Sequence, residues 1–151
     1  MVNNKIEYII WFDTIRQNKI KLTVKSMNIR VFTLCDGAYN YNGKLTLVGT
    51  IDNIKAPKYP HNADVSLAIK VSFLPNENGE KEIVIRFQDS EGKLLVPEMQ
   101  PPKTKIESKG EEGRLVMVVD LHGLPIPHEG DYKVILKINN ETFELPFKAI
   151  R

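Results

Sequence analysis

The stretch LCDGAYNYNGKLTLVGTIDNI, from Leu34 to Ile54, decides the fold class. Its Asn42-Gly43 pair is the strongest short hairpin signal, because a type I′ turn needs positive φ at both central residues. Alternating apolar residues on both sides of this turn predict two strands, and Gly37 permits a bulge or kink in the first of them. The second strand is expected to place three apolar residues on one face: Leu45, Leu47 and Ile51. The stretch is therefore interpreted as strand, kink, hairpin turn and strand.

The same two-residue period continues to the end of the chain, in DVSLAIKVSFL, EIVIRFQD, RLVMVVDL and DYKVILKINNETFELPFKAI. Short strands joined by turn signals, without a helix-length crossover, predict an all-β fold, a single immunoglobulin-like antiparallel β-sandwich of about seven to eight strands. Pro57 and Pro60 exclude a central strand from KAPKYPHNA. The polar connection PEMQPPKTKIESKGEEG has room for a short strand near Ile106, and Pro146 is suited to blunting an edge.

Alternation also predicts which side chains share a face. In IRVFTLCD, Phe32 and Leu34 are expected on one side of the strand. The other side is expected to carry Ile29, Val31, Thr33 and Cys35. The later strands are expected to bury Val65, Leu67, Ile69, Val71 and Phe73; Ile83, Ile85 and Phe87; Leu115, Met117, Val119 and Leu121; Tyr132, Val134, Leu136 and Ile138; and Phe143, Leu145, Phe147 and Ala149. Asn139-Asn140 supplies the last two-residue turn.

Residues 1–26 form an N-terminal extension that does not follow the cleaner pattern of residues 27–151. Alternation over Ile20, Leu22 and Val24 suggests a short strand, whereas Ile6, Ile9, Ile10 and Asp13 would share a helix face. Two interpretations stay open. Either translation starts at Met27 and the extension is weakly ordered, or an extra helix or strand covers the sandwich edge.

Composition limits the classes of protein to which this chain can belong. The 151 residues carry a formal net charge of +2, and basic and acidic residues are interspersed rather than clustered, which speaks against nucleic-acid binding. The single cysteine excludes an internal disulfide and fits a reducing compartment. No apolar run approaches the ~20 residues of a membrane span. The sequence therefore predicts a soluble, cytoplasmic protein with neither nucleic acid nor membrane as its partner.

Several motifs occur in a specific order: LCD, NGKLTLVGTIDNI, the Tyr59-Pro60 dipeptide, QDSEGK and the closing LPIPHEGDYKVILKINNETFELPF. With these motifs the chain resembles a bacterial family of small β-sandwich proteins known as a domain of unknown function, over about residues 27–150. The closing motif also resembles the last hairpin of many immunoglobulin-like domains. The resemblance implies a β-sandwich, and it brings no activity, cofactor or catalytic residue.

The cysteine, histidine and acidic residues that could form a catalytic or metal site are each explained by a structural role. Cys35 lacks a nearby base, and the adjacent Asp36 would raise the pKa of its thiol, so a buried, inert cysteine is expected. His61, His122 and His128 lack the close spacing of zinc ligands and are expected in solvent-facing loops. The DSEGK segment, with Asp89, Glu91 and Gly92, is interpreted as a turn rather than a calcium loop. We therefore predict no catalytic residue, no metal and no cofactor.

Tyrosines are the remaining candidates, because their rings favour interfaces. Tyr39, Tyr41 and Tyr59 are predicted as a possible interaction surface. The preferred hypothesis is a non-enzymatic binding or scaffolding module with an unidentified protein partner, which makes contact through an exposed strand edge or the loop from Pro97 to Gly113. One alternative is a carbohydrate- or small-ligand-binding module. Another is a hydrolase or transferase whose site would use Asp36, Asp52, His122 or His128.

Overall fold

The computed structural model describes residues 7–10, 20–23, 27–108 and 110–151. Two short strands precede the main domain, β1 (Glu7–Ile10) and β2 (Ile20–Thr23), and they pair antiparallel. The strand expected around Ile20 and Leu22 is therefore present, and Ile9 and Ile10 lie in a strand rather than a helix. Ile6, Asp13 and Val24, on which the other expectations rested, lie outside the described residues.

From Met27 onward the chain forms three sheets. The first has the order β10-β6-β3-β4 and is antiparallel throughout. Its strands are β3 (Met27–Tyr41), β4 (Lys44–Ile51), β6 (His61–Phe73) and β10 (Gly113–Ile126). The second has the order β5-β12-β11-β8, in which β5 and β12 are parallel. Its strands are β5 (Asn53–Lys55), β8 (Ile83–Asp89), β11 (Gly130–Ile138) and β12 (Glu141–Ile150). A small third sheet pairs β7 (Gly79–Lys81) with β9 (Thr104–Ile106).

The expected number of seven to eight strands is too low, because the described residues from Met27 onward contain ten. Three of them, β5, β7 and β9, have only three residues each. The strand expected near Ile106 is present as β9, whereas β7 includes the end of the predicted turn PNENGE. The predicted strand KLTLVGTIDNI divides at Asp52, where the chain leaves the first sheet and joins the second as β5. Such short strands exist because a distant segment pairs with them, and local alternation does not show that segment.

The two four-stranded sheets share one apolar core, as the predicted faces of β6, β8, β10, β11 and β12 require. Leu67, Ile85, Phe87, Val134 and Ile138 are 0% exposed. Within β10 the two middle residues of the predicted face, Met117 and Val119, are only partly buried. Both two-residue turns are confirmed: φ is 50° at Asn42 and 76° at Gly43, and it is 50° at Asn139. In the described ranges, no helix has the length and apolar character to cross a membrane.

A second apolar cluster lies apart from the main core and consists of Cys35, Ala38 and Ala68. Ala68 stands between Leu67 and Ile69, which both point into the main core, so this cluster is on the opposite face of the first sheet. Around it pack four partly buried side chains: Val31, Leu45, Leu47 and Val118. The first sheet therefore has apolar residues on both faces.

Two predicted faces are wrong because the backbone is irregular. A register shift between Ile29 and Val31 puts Ile29 against the main core and Val31 in the second cluster. In β4, Ile51 packs against the main core, whereas Leu45 and Leu47 join the second cluster. The predicted kink is therefore present in the hairpin, but its positive φ, 61°, is at Gly49 in the second strand rather than at Gly37.

Gly49 is held in this conformation beside Asp36. A β-carbon added to Gly49 would overlap the Asp36 carboxylate and lie 2.9 Å from its Cγ. We expect Gly49→Ala to destabilise the fold by more than the ~1–2 kcal/mol that a left-handed alanine costs by itself, because the Asp36 side chain must also move. Urea unfolding followed by circular dichroism measures the difference.

Gly43→Ala is the matched control, because Gly43 also has positive φ but nothing lies within 4 Å of the added carbon. Gly49→Ala should lower the free energy of unfolding by more than Gly43→Ala does. This difference should shrink when both glycine variants are made in a protein that also carries Asp36→Ala. Equal costs for the two glycine variants would contradict the assigned kink.

Candidate functional site

Three large apolar or aromatic side chains are exposed together on the β3–β4 hairpin. Tyr39 is 65% exposed, Tyr41 73% and Val48 53%. Val48 pairs with Gly37, and the Tyr39 ring lies over Gly37, in van der Waals range of where its β-carbon would be. Alternation along β3 places both tyrosines on this same face of the hairpin. We call Tyr39, Tyr41 and Val48 the hairpin patch.

The hairpin patch rests on a supported element. The other face of the hairpin carries Ala38, Leu45 and Leu47, which pack into the second apolar cluster. At the tip, the Gly43 amide donates a hydrogen bond of 3.1 Å to the Asn40 side-chain oxygen. A buried face and a fixed turn hold the exposed face in one geometry, which lowers the entropy that a partner's binding costs.

The hairpin patch borders a sheet edge, since β4 has only β3 as a neighbour in the described sheet. Its residues Leu45–Ile51 are uncharged and contain no proline. Unpaired backbone groups along such an edge can pair with another strand. Val48 and this edge cannot be recognised from the sequence, because the uncharged run is visible there but the strand order is not.

Other long edges carry protective features. In the second sheet, residues 93–99 cover β8: Ile85 and Met99 exchange two backbone hydrogen bonds of 2.9 Å, and the Leu95 amide donates to the Phe87 carbonyl at 2.8 Å. These contacts close the edge to a partner strand.

At the far edge of the first sheet, β10 carries charges and an irregularity. Arg114 and Asp120 are exposed on it, a register shift separates Leu121 from Leu124, and Pro125 follows. Charges, bulges and prolines are the usual means of preventing edge pairing. Pro146 lies on the part of β12 that β5 does not reach, because β5 pairs only with residues 148–150.

Tyr59 does not join the other two tyrosines. It is half-buried, packs against the main core, and its hydroxyl donates a hydrogen bond of 2.7 Å to the Ile150 carbonyl. This contact attaches the segment before β6 to the end of β12. The structure therefore brings together Tyr39 and Tyr41 and places Tyr59 apart from them, in the connection before β6 and against the end of β12.

The loop from Pro97 to Gly113 is also attached at several points. Besides the contacts of Met99 and the β7–β9 pairing, the Ser108 hydroxyl donates to the Pro75 carbonyl at 2.6 Å and its amide donates to the Asn78 side-chain oxygen at 2.8 Å. These bonds hold the loop against the β6–β7 turn.

Cys35 is 0% exposed, and its thiol donates a hydrogen bond of 3.5 Å to the Ser66 carbonyl. The Ser66 hydroxyl in turn donates to Asp120 at 2.5 Å. Burial raises the pKa of the Cys35 thiol, and the negative charges of Asp36 and Asp120 raise it further, against an opposing hydrogen bond from Gly37. A buried thiol with a raised pKa is a poor nucleophile.

The other polar candidates do not converge. Among the described residues, no group of three or more His, Cys, Asp or Glu side chains is placed to hold a metal ion. His61 begins β6, and the exposed His122 lies in β10. The His128 ring contacts the Glu129 carbonyl at 2.8 Å. Asp52 follows β4, whereas Asp36 lies beside Gly49 within the sheet.

Asp89 serves as a turn residue, as expected. Its carboxylate accepts hydrogen bonds of 2.9 Å from the amides of Glu91 and Lys93, and its carbonyl accepts one of 3.1 Å from Gly92. This turn forms one side of an open cleft of about 370 Å³. The cleft is lined by Asp89, Glu91, Lys93, Leu94, Leu95, Pro125, Pro127 and His128.

We expect iodoacetamide to modify Cys35 at least ~100-fold more slowly in the native protein at pH 8 than in urea, because burial blocks access and favours the protonated thiol. Mass spectrometry over time measures both rates. Native modification as fast as in urea would contradict the buried position.

The same raised pKa makes stability depend on pH. The unfolded thiol loses its proton near its ordinary pKa of 9.0, whereas the folded thiol loses it at higher pH. The free energy that the protonated Cys35 thiol contributes to stability is therefore complete below pH 9 and is lost as pH rises through the pKa of the folded protein. The stability of the native protein should therefore fall relative to Cys35→Ala between pH 8 and pH 10.5. Burial also raises the pKa of Tyr132, but this tyrosine is present in both proteins, so its effect on stability cancels in the comparison.

Comparison with solved structures shows a similar fold in part of an alkylpurine DNA glycosylase, AlkC, of Pseudomonas fluorescens, solved bound to DNA containing an abasic site analog. The TM-score is 0.56 at 9% identity, over 83% of this chain and 31% of that chain. Two β-glucosidases match more weakly. EmGH1 of Erythrobacter marinus gives a TM-score of 0.48 at 10% identity, over 92% of this chain and 18% of its own. The β-glucosidase of Listeria innocua, in complex with gluconolactone, gives a TM-score of 0.44 at 9% identity, over 82% of this chain and 15% of that chain.

This chain thus spans less than a third of each of these proteins, and at such low identity the likeness concerns the fold alone. No curated protein sequence matches it significantly. A family profile, described as a family of unknown function (DUF6941), matches residues 30–149, which is most of the chain. The chain therefore belongs to the family of unknown function DUF6941.

Proposed function

We propose that this chain is a non-catalytic binding module that contacts a protein partner through the hairpin patch and the adjoining β4 edge. The observation that carries the proposal is the exposure of Tyr39 and Tyr41, at 65% and 73%, on a hairpin whose other face is buried. Surface tyrosines on a rigid support supply large contact area with little entropy cost, and they are frequent in interfaces.

The β4 edge extends this surface. A partner strand added beside β4 would gain backbone hydrogen bonds from the edge and side-chain contact from Val48. Backbone pairing supplies affinity, while the tyrosines and Val48 select the partner's side chains. Because the other long edges are covered, charged or interrupted, β4 is the favoured docking strand.

The proposal also assigns the module an immunoglobulin-like arrangement and a cytoplasmic location. In support of the first, the Tyr132 hydroxyl donates a hydrogen bond of 2.7 Å to the His128 carbonyl four residues upstream, as in the tyrosine corner of immunoglobulin-like domains. In support of the second, the single cysteine is a buried free thiol.

Replacing Tyr39 and Tyr41 together by alanine should reduce capture of the native partner at least ~10-fold, because buried aromatic anchors carry much of an interface's free energy. Purified chain on beads, incubated with lysate from the source organism and analysed by quantitative mass spectrometry, provides the measurement. Thermal unfolding verifies that the variant is folded.

Leu94→Ala is the matched control, because Leu94 is an exposed apolar residue, 43% exposed, that bridges Gln88 of β8 in the second sheet, whereas the hairpin belongs to the first. A partner that remains bound to the double tyrosine variant but is lost with Leu94→Ala would place the contact at the other sheet and contradict the proposal.

A further inference from the structure

Three cationic side chains come together at one end of the first sheet, on the face away from the main core. Ser72 of β6 pairs with Arg114 of β10, and Lys70 is two residues before Ser72, so it projects from the same face. Arg30 belongs to the irregular part of β3, and its Nε donates a hydrogen bond of 3.0 Å to the Ser72 hydroxyl. Together with Glu112, these residues line an open cleft of about 430 Å³. We call Arg30, Lys70 and Arg114 the cationic cluster.

Arg30 is held in place, and it already binds one carboxylate. Besides its bond to Ser72, its Nη2 donates a hydrogen bond of 3.0 Å to the Glu112 carboxylate. Hydrogen bonds from Ser72 and Arg30 lower the pKa of the Glu112 carboxyl, and the positive charges of Arg30 and Arg114 lower it further. The cationic cluster therefore stabilises an anionic group, which indicates the kind of ligand that the cleft accepts.

Lys70 has no such neutralising contact. It is half-buried, and among the described residues it has no ion-pair partner. Its direct neighbours across the sheet are Val31 and Val116, both partly buried, which restrict the stem of the lysine. A half-buried ammonium group without an anionic partner gains stability from an anion that binds beside it.

The cationic cluster exceeds the single carboxylate in its cleft by two positive charges. Arg114, like Lys70, has no ion-pair partner in the part of the chain that the structure describes. Cations this close repel one another, and a ligand with two negative charges balances the excess. Phosphate fits this requirement, because a guanidinium group can bind two of its oxygens while a lysine supplies a point charge.

We propose that this cleft is a binding site for a phosphate dianion, either the free ion or the phosphate of a small phosphomonoester, held by the cationic cluster beside Glu112. The site lies near the start of β3, whereas the hairpin patch lies at its end. Arg30 and Tyr39 are separated along the strand by roughly 30 Å, at ~3.3 Å per residue. The inference is therefore independent of the proposed protein contact.

Titration of the ¹⁵N-labelled native protein with inorganic phosphate at pH 7.5 and constant ionic strength tests the site. We expect saturable shifts of the Lys70, Ser72 and Arg114 amide signals, with a dissociation constant of about 1 mM or below. Lys70→Met keeps an apolar stem and removes the charge. It should raise the dissociation constant about tenfold, because a charge-assisted contact is lost.

Lys133→Met is the matched control, because Lys133 is also a half-buried lysine of a sheet but lies in β11 and pairs with Glu144. It changes the net charge by the same amount and should leave the dissociation constant within about twofold of the native value. Equal weakening in the two lysine variants, or no saturable shift up to about 20 mM phosphate, would overturn the proposal.

Glu112→Gln distinguishes an anion site from a purely structural role of the cationic cluster. Removal of the carboxylate charge should lower the dissociation constant for phosphate at least about threefold, because a repulsion is lost. Ser72 still accepts the hydrogen bond from Arg30 in this variant. Unchanged or weaker binding would contradict the position of the phosphate beside Glu112.

Two further ligands identify the source of the anion. Binding of glycerol 3-phosphate at least as tight as that of inorganic phosphate would assign the site to phosphomonoesters, and binding of inorganic phosphate alone would assign it to the free ion. Acetate, which carries one charge, should bind at least about tenfold more weakly than phosphate. Equal binding of acetate would assign the cleft to carboxylates and overturn the phosphate site.

Discussion

Burial of one face of β6 is the constraint on which the rest of the structure depends. This strand pairs with β3 on one side and β10 on the other, so it occupies the middle of the first sheet. Its five inward residues, from Val65 to Phe73, are at most 4% exposed. Their burial against the second sheet fixes the register of both neighbours, since a slip of one residue would turn those apolar side chains outward.

Because β6 and β3 are both central, their outward faces are crowded as well. Small residues occupy the places where larger side chains converge, which is why Cys35 and Ala68 are both 0% exposed on the face away from the main core. The hairpin continues this second cluster through Leu45 and Leu47. The kink at Gly49 makes this possible, because it turns the apolar face of the hairpin away from the main core. The same rotation exposes Tyr39, Tyr41 and Val48.

Function and fold are thus connected through one irregular position. A regular β4 would direct Leu45 and Leu47 toward the main core together with Ile51, as simple alternation predicts. With positive φ at Gly49, the hairpin buries its leucines on one side and presents aromatic rings on the other. The proposed contact surface is a consequence of that rotation and of the position of β4 at the end of the strand order.

Local chemistry determined much of this protein from sequence alone. Alternation identified the long strands and the buried faces of β6, β8 and β11, and Asn42-Gly43 and Asn139-Asn140 identified two turns, because these signals depend on neighbouring residues only. Tyr39 and Tyr41 were recognisable candidates beside a turn.

The tertiary structure alone decided the strand order, the three short strands, the separation of Tyr59 from the other tyrosines, and the open edge beside Val48. Each of these depends on pairing between segments far apart in sequence. Backbone hydrogen bonds form with any residue type, so the identity of a distant partner leaves little trace in the strand itself.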